Sequence, residues 1–119
     1  MDEQLNFDKQ LEGHLNRNAR LLDDLSARGV SLDEARSVEL HFWATGQANA
    51  AQLAHELYKK GYIVLCLAPA EAGHQAARWN IEAGAKLSPI QVADETLVRD
   101  LVSLSILCSG IYDGWGISV

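Results

Sequence analysis

The residues with the clearest chemical potential lie in one short segment, Ser37 to Ala44, in which apolar and polar residues alternate. If this segment is a β-strand, Glu39, His41 and Trp43 share one face, because successive side chains of a strand point to opposite sides of the sheet. An imidazole beside a carboxylate can act as a general base, and an exposed tryptophan can bind a partner. The simpler interpretation of His41 is a surface imidazole near a carboxylate.

Metal-binding and catalytic motifs are missing from the sequence. The four histidines and two cysteines form no C-x-x-C or H-x-x-x-H pair. These residues are His14, His41, His55, Cys66, His74 and Cys108. There is no G-x-S-x-G sequence and no glycine-rich phosphate loop. The sequence therefore predicts no metal, no cofactor and no catalytic residue, and the cysteines are interpreted as buried, reduced thiols.

A second concentration of unusual residues lies near the C-terminus, in the run Tyr112-Asp113-Gly114-Trp115-Gly116. In a regular strand, Gly114 and Gly116 would share the face of Tyr112 and leave it open to a close neighbour. Trp115 would then lie on the opposite face, together with Ile111, Ile117 and Val119. The alternative is that the glycines permit a bulge and that Trp115 packs in the core.

Composition and charge restrict the class of protein. The chain has 119 residues, of which 48% are hydrophobic and 22% charged, as in a folded globular domain. Its net charge of -6 repels phosphate backbones, so we expect no direct nucleic-acid binding and favour a basic protein partner. The longest apolar run, Tyr62 to Ala70, has nine residues, whereas a membrane-spanning helix needs about 20. We therefore expect no membrane insertion and a cytoplasmic location.

The elements that position these residues follow from hydrophobic periodicity. Leucines from Leu5 to Leu25 predict an amphipathic helix that ends near Ala27 to Gly29. Thr45 is the predicted N-cap of a second helix, and Pro89 predicts a break before a last helix that starts near Val92. The remaining predicted strands are 62–67, which is expected to be covered on both faces, then 78–83 and 111–119.

This order of elements, a helix followed by β-α-β-β-α-β, predicts an α+β fold. It is the ferredoxin-like arrangement of a four-stranded antiparallel sheet with helices on one face, here with an additional N-terminal helix. We expect a single domain over residues 1–119, with the N-terminal helix in 1–29 and the βαββαβ core in 37–119. The fold alone does not identify a function.

Several motifs together resemble the bacterial RraB family, regulators of ribonuclease E activity. They are Lys60-Gly61-Tyr62, then Trp79-x-Ile81, and Leu104 followed by Gly110-x-Tyr112-Asp113-Gly114-Trp115-Gly116. The resemblance extends over most of the chain and is most specific in the terminal motif. It implies a ferredoxin-like sandwich without catalysis that binds the endoribonuclease in the cytoplasm and lowers its cleavage of RNA. One departure is that RraB proper carries a long acidic tail after this motif, whereas the present sequence ends at Val119.

Two other functions fit the sequence. One is an immunity-like or antitoxin-like partner of a basic nuclease, and the other is a small-ligand-binding domain that uses His41 and Glu39. For a protein-binding role, the candidate contact residues are Glu39, His41 and Trp43. Trp43 is expected either to be exposed for a partner or to be covered by the N-terminal helix. The oligomeric state is left open.

Overall fold

The computed structural model describes residues 2–70 and 77–117, with side chains described from Gln4 onward. Four helices and four strands occur in these ranges, in the predicted order except that the last helix is divided in two. In chain order they are α1 (Asp2–Ala27), β1 (Arg36–Thr45), α2 (Gln47–Lys59), β2 (Ile63–Pro69), β3 (Arg78–Leu87), α3 (Pro89–Ala93), α4 (Glu95–Leu107) and β4 (Gly110–Ile117). His74 and Val119 lie outside the described residues.

The four strands form one sheet in the order β2-β3-β1-β4, and every neighbouring pair is antiparallel. β1 and β3 are the central strands, and β2 and β4 are the edges. This confirms the predicted α+β, ferredoxin-like arrangement with an additional N-terminal helix. One face of the sheet, which we call the helical face, packs against the helices, and the other is the open face.

The hydrophobic core lies between the helical face and the helices. β1 contributes Val38, Leu40, Phe42 and Ala44, the alternate residues that the sequence pattern predicts for one face. The other fully buried aliphatic residues come mainly from α2, β3 and α4. They are Leu53, Leu57, Ile81, Val98, Leu101 and Val102.

α1 is amphipathic and packs mainly against α3 and α4 through an apolar stripe that includes Leu11 and Leu25. The helix ends where Gly29 takes a positive φ of 79°. The Val30 amide donates to the Leu25 carbonyl and the Gly29 amide to the Ser26 carbonyl, both at 3.0 Å. These two bonds form a Schellman motif, so the chain reverses at the predicted glycine.

Two predicted helix boundaries are wrong. Thr45 is not the N-cap of α2: it is the last residue of β1, and Gly46 occupies the N-cap position without a side-chain cap. The last helix does not start near Val92 either: Pro89 is the first residue of the short helix α3, where its fixed φ and missing N–H cost nothing, and α4 begins at Glu95. Ser88 caps α3 in a capping box with Gln91. The α4 helix then starts separately.

β2 differs from its predicted environment. The apolar run was expected to be covered on both faces, yet Ile63, Leu65 and Leu67 are 66%, 54% and 39% exposed. The reason is that Ile63 and Leu65 lie on the open face, beside Gly84, where no helix of the described residues packs, and that β2 is also an edge strand, paired only with β3 within the described residues. Its Cys66 is half-buried, whereas Cys108 at the end of α4 is buried, and both thiols are free.

Candidate functional site

Glu39, His41 and Trp43 lie together on the open face, as the alternation in β1 predicts. Because β1 is a central strand, these side chains have neighbours on both β3 and β4. α1 packs against α3 and α4 in the helical layer, on the opposite side of the sheet. The alternative in which the N-terminal helix covers Trp43 is therefore wrong.

His41 pairs with a carboxylate on the neighbouring strand. Its Nδ1 lies 3.6 Å from Oε1 of Glu82, which is directly opposite on β3. Both side chains are 40% exposed, so water screens this pair. The arrangement is that of a surface imidazole beside a carboxylate, the simpler of the two interpretations.

Trp43 is half-buried and is stacked with an arginine of β3. The guanidinium carbon of Arg78 lies 4.5 Å from the centroid of the Trp43 ring. Such a cation–π contact at an exposed site contributes about 0.5 to 1 kcal/mol and favours the orientation of the ring in which it stacks on Arg78. Sequence analysis did not identify Arg78, because only the β1–β3 register brings the end of β3 beside Trp43.

Glu39 stands between two glycines, Gly84 on β3 and Gly116 on β4. A side-chain carbon at Gly116 would meet nothing within 4 Å, so this side of Glu39 is open to solvent. The side chain of Leu65 covers Gly84 on the other side. Within the described residues Glu39 forms no ion pair, which leaves it as an exposed acceptor on the sheet.

A shallow hollow of about 270 Å³ lies on the open face. Its polar lining includes His41, Arg78, Asn80, Glu82 and Asp113. Pockets for small ligands usually enclose about 300 to 1,000 Å³ and have mostly apolar walls. The hollow therefore resembles a surface depression that could receive a single side chain of a partner.

The terminal motif is not a regular strand. The pairing of β4 with β1 shifts between His41 and Phe42, so that His41 faces Gly114, Phe42 faces Tyr112, and Asp113 is an additional residue. This bulge coincides with a positive φ of 126° at Gly114. A bulge shifts the alternation by one residue, so residues after it change faces.

The faces predicted for the motif are consequently wrong in part. Tyr112 and Trp115 are both on the helical face, opposite Phe42 and Leu40, and Gly116 is on the open face. Ile117 shares the face of Trp115 as predicted, whereas Ile111 is opposite Trp43 on the open face. The alternative interpretation, a glycine-permitted bulge with Trp115 packed in the core, agrees with this geometry.

The polar groups of the terminal motif form hydrogen bonds with α1. The Nε1 of the half-buried Trp115 donates to Oδ1 of Asn18 at 2.8 Å, and Arg17 donates to the Asp113 carbonyl at 2.7 Å. The buried His14 donates from Nε2 to the Tyr112 carbonyl at 2.8 Å. These contacts make the motif a docking site for α1. The three α1 residues carry no sequence signal, because polar residues on a helix normally face solvent.

Buried titratable groups occur at this contact and not on the open face. Burial raises the pKa of the Tyr112 phenol far above its usual value and lowers the pKa of His14 below 6.5. The described residues contain no cluster of three histidine, cysteine or acidic side chains that could hold a metal. None of the helices in the described part of the chain is long and apolar enough to cross a membrane.

The fold and this site define a small α+β domain whose polar and aromatic side chains project from an open sheet face. Comparison with protein families gives a match to the RraB family, described as regulator of ribonuclease activity B, over residues 15–117. The chain belongs to the RraB family, and the predicted resemblance is confirmed. The family assignment supports a regulatory role. No curated protein gives a significant match.

Proposed function

We propose that this chain is a non-catalytic cytoplasmic regulator that binds a ribonuclease through the open face of its sheet and thereby modulates RNA cleavage. The family assignment supports ribonuclease regulation. The observation that carries the proposed contact is the exposed row Glu39, His41 and Trp43 on a central strand, with no helix of the described residues over it.

The composition of this row suits a protein interface. Trp43 supplies apolar area, and its ring is held by Arg78 at 4.5 Å. Tryptophan and arginine are enriched among the residues that dominate binding energy, and surrounding polar groups form the rim that excludes water. Here the rim comprises His41, Glu82 and Asn80.

Charge favours a basic contact surface on the ribonuclease. The chain carries a net charge of -6, and Glu39 has no ion-pair partner within the described residues. The open face itself is mixed, because Arg78 and Lys86 accompany Glu39 and Glu82 on it. We therefore expect Glu39 to make the specific ion pair and the net charge to accelerate association.

The test is binding of the purified chain to purified ribonuclease E, measured by calorimetry, together with RNA cleavage by that enzyme. Trp43→Ala is expected to weaken binding at least about tenfold, the effect of removing a dominant interface residue. Glu39→Lys should also weaken binding, and added salt should weaken the wild-type complex. Leu107→Ala is the control, because Leu107 is 74% exposed on α4.

If ribonuclease E neither binds nor changes its cleavage rate, the proposed target is wrong. If it binds but Trp43→Ala and Glu39→Lys leave the affinity unchanged, the target stands and the proposed face is wrong. An immunity-like role would instead require inhibition of a different basic nuclease by the same chain.

A further inference from the structure

Four glycines lie within the strands of the described residues, and the fold requires three of them. A Cβ at Gly84 would lie 3.1 Å from the side chain of Leu65, and one at Gly110 would collide with a backbone carbonyl of β1. Gly114 has a positive φ of 126°, which favours glycine. Gly116 has neither constraint, because its φ is not positive and a Cβ there would meet nothing within 4 Å.

The glycine at position 116 therefore needs a reason outside the fold. Glycine weakens a strand, because it loses more conformational entropy on folding than other residues and packs no side chain. Glycine also marks positions where a ligand or another backbone approaches a strand closely. The empty position on the open face above Gly116, which we call the Gly116 gap, thus indicates a close contact with a group from outside the described residues.

The nearest side chain across the sheet from this gap is a carboxylate. Gly116 pairs with Glu39, and the Cβ positions of directly opposite residues are about 5 Å apart. A group that lies on Gly116 is therefore within reach of the Glu39 carboxylate, which forms no ion pair within the described residues. Arg17, which lies against Gly114, donates instead to the Asp113 carbonyl at 2.7 Å.

We infer that the Gly116 gap holds an arginine side chain of the ribonuclease, whose guanidinium lies flat on the backbone of β4 and pairs with Glu39. The inference rests on the proposed ribonuclease binding and names the group that the open face recognises. A carboxylate without an ion-pair partner beside an empty position selects a cation over an apolar or acidic group. The net charge of -6 attracts the same cation from a distance.

Arginine fits this gap better than lysine for two reasons. The floor of the gap is strand backbone without a side chain, and a guanidinium is planar and weakly hydrated, so it can stack where an ammonium would keep its water. The guanidinium also donates two parallel hydrogen bonds to one carboxylate. The open face already holds one stacked guanidinium, since Arg78 lies 4.5 Å from the centroid of the Trp43 ring.

The test uses the intact, isotope-labelled chain and a probe that does not depend on the ribonuclease. A capped glycine-arginine-glycine tripeptide is titrated into the protein and followed by NMR, and a capped glycine-lysine-glycine tripeptide of equal charge is the control probe. The arginine peptide should shift the amide signals of Glu39 and Gly116. It should also bind at least about threefold more tightly than the lysine peptide.

Two substitutions separate the gap from the carboxylate. Gly116→Leu should raise the dissociation constant of the arginine peptide at least about tenfold, because the new side chain fills the gap. Gly13→Leu is the matched control, since a Cβ at this position of α1 also meets nothing within 4 Å. Glu39→Gln should remove the preference for arginine over lysine, and Glu12→Gln, at an exposed glutamate of α1, should preserve it. Circular dichroism establishes that the variants are folded, and Gly116→Val replaces Gly116→Leu if the latter unfolds.

The arginine site is refuted if the lysine peptide binds as tightly as the arginine peptide, or if Gly116→Leu binds the arginine peptide as tightly as Gly13→Leu does. It is also refuted if Glu39→Gln keeps the full preference for arginine. Calorimetry with ribonuclease E distinguishes this inference from the proposed function. Equal binding of ribonuclease E by wild type and Gly116→Leu would refute the arginine contact alone. If ribonuclease E does not bind while the arginine peptide binds at Gly116, the proposed target is wrong and the arginine site stands.

Discussion

The imidazole of His14 stacks on the ring of Tyr112, with centroids 4.7 Å apart, while its Nε2 donates to the Tyr112 carbonyl at 2.8 Å. One residue is on the N-terminal helix and the other on the last strand. The contact therefore joins the two ends of the described chain. It also buries a group that titrates near neutral pH.

Stability should fall in mild acid because of His14. Desolvation lowers its pKa below 6.5, with a further lowering by Arg17, and the Tyr112 carbonyl and Asp113 oppose the shift. The unfolded chain thus binds the proton more tightly than the folded chain does. The stabilisation is present above pH 6.5 and is lost as pH falls through the lowered pKa of the folded state.

Denaturant unfolding across this pH range measures the effect in wild-type protein and in His14→Gln, which can still donate to the Tyr112 carbonyl. In His14→Gln the free energy of unfolding should fall less steeply with decreasing pH than in the wild-type protein. His55→Gln, which changes an exposed histidine on α2, should keep all of it. An unchanged acid dependence in His14→Gln would contradict the assignment.

Trp115 should contribute to stability more than Trp43 does. Trp115 is half-buried against the core and donates to Asn18, so Trp115→Ala should cost about 2 to 4 kcal/mol, reaching into the range for buried aromatic truncations. Trp43→Ala removes a surface ring and its contact with Arg78, and should cost about 1 kcal/mol. Chemical denaturation of both variants measures the two losses in the free energy of unfolding. Equal losses would refute the prediction that Trp115 contributes more than Trp43.

Gly114 and Gly116 should respond oppositely to alanine. Gly114 has a φ of 126°, and a Cβ there would lie 2.8 Å from Nη1 of Arg17. Gly114→Ala should therefore cost about 1 to 3 kcal/mol, the range for a residue held in a disfavoured backbone conformation.

Gly116→Ala is the matched control, because its Cβ would meet nothing within 4 Å. Its effect should be within about 0.5 kcal/mol, as for ordinary surface substitutions. Thermal unfolding of the two variants measures the difference in their stability. Similar destabilisation by both substitutions would show that the bulge at Asp113 is not the feature that requires glycine.

The two thiols should react at different rates. Cys108 is 1% exposed, and burial raises its pKa, so little thiolate forms at neutral pH. Cys66 is half-buried on the edge strand and should react first. Thiol titration of the native protein should give one faster thiol, with Cys108 following on the time scale of unfolding. Cys66→Ser should remove the faster phase of the thiol reaction. If the faster phase persisted in this variant, Cys108 would be the more reactive thiol.

The accuracy of the sequence-based predictions depended on how local each feature is. The faces of β1 follow from alternation, and they placed Glu39, His41 and Trp43 together correctly. The faces of the terminal motif failed because one additional residue, Asp113, reverses the alternation after it. Both predictions assumed a regular strand. The assumption holds for the alternating residues of β1 and fails for β4, which contains the bulge.

The environment of β2 and the partners of Trp43 depend instead on strand order. A continuous apolar run has the same sequence pattern whether it becomes a central strand or an edge, and β2 is an edge. Arg78 reaches Trp43 only through the pairing of β1 with β3. Such contacts are long-range in sequence, and no periodicity within one element specifies them.

The central position of β1 has a consequence for binding kinetics and affinity. Its backbone is held by hydrogen bonds to β3 on one side and to β4 on the other along most of its length. A partner that contacts Glu39, His41 and Trp43 therefore meets a surface whose backbone has little conformational entropy to lose, and the main ordering cost is that of the side-chain rotamers. Association at such a preorganised surface proceeds without a folding step, so interface substitutions should act mainly on the dissociation rate.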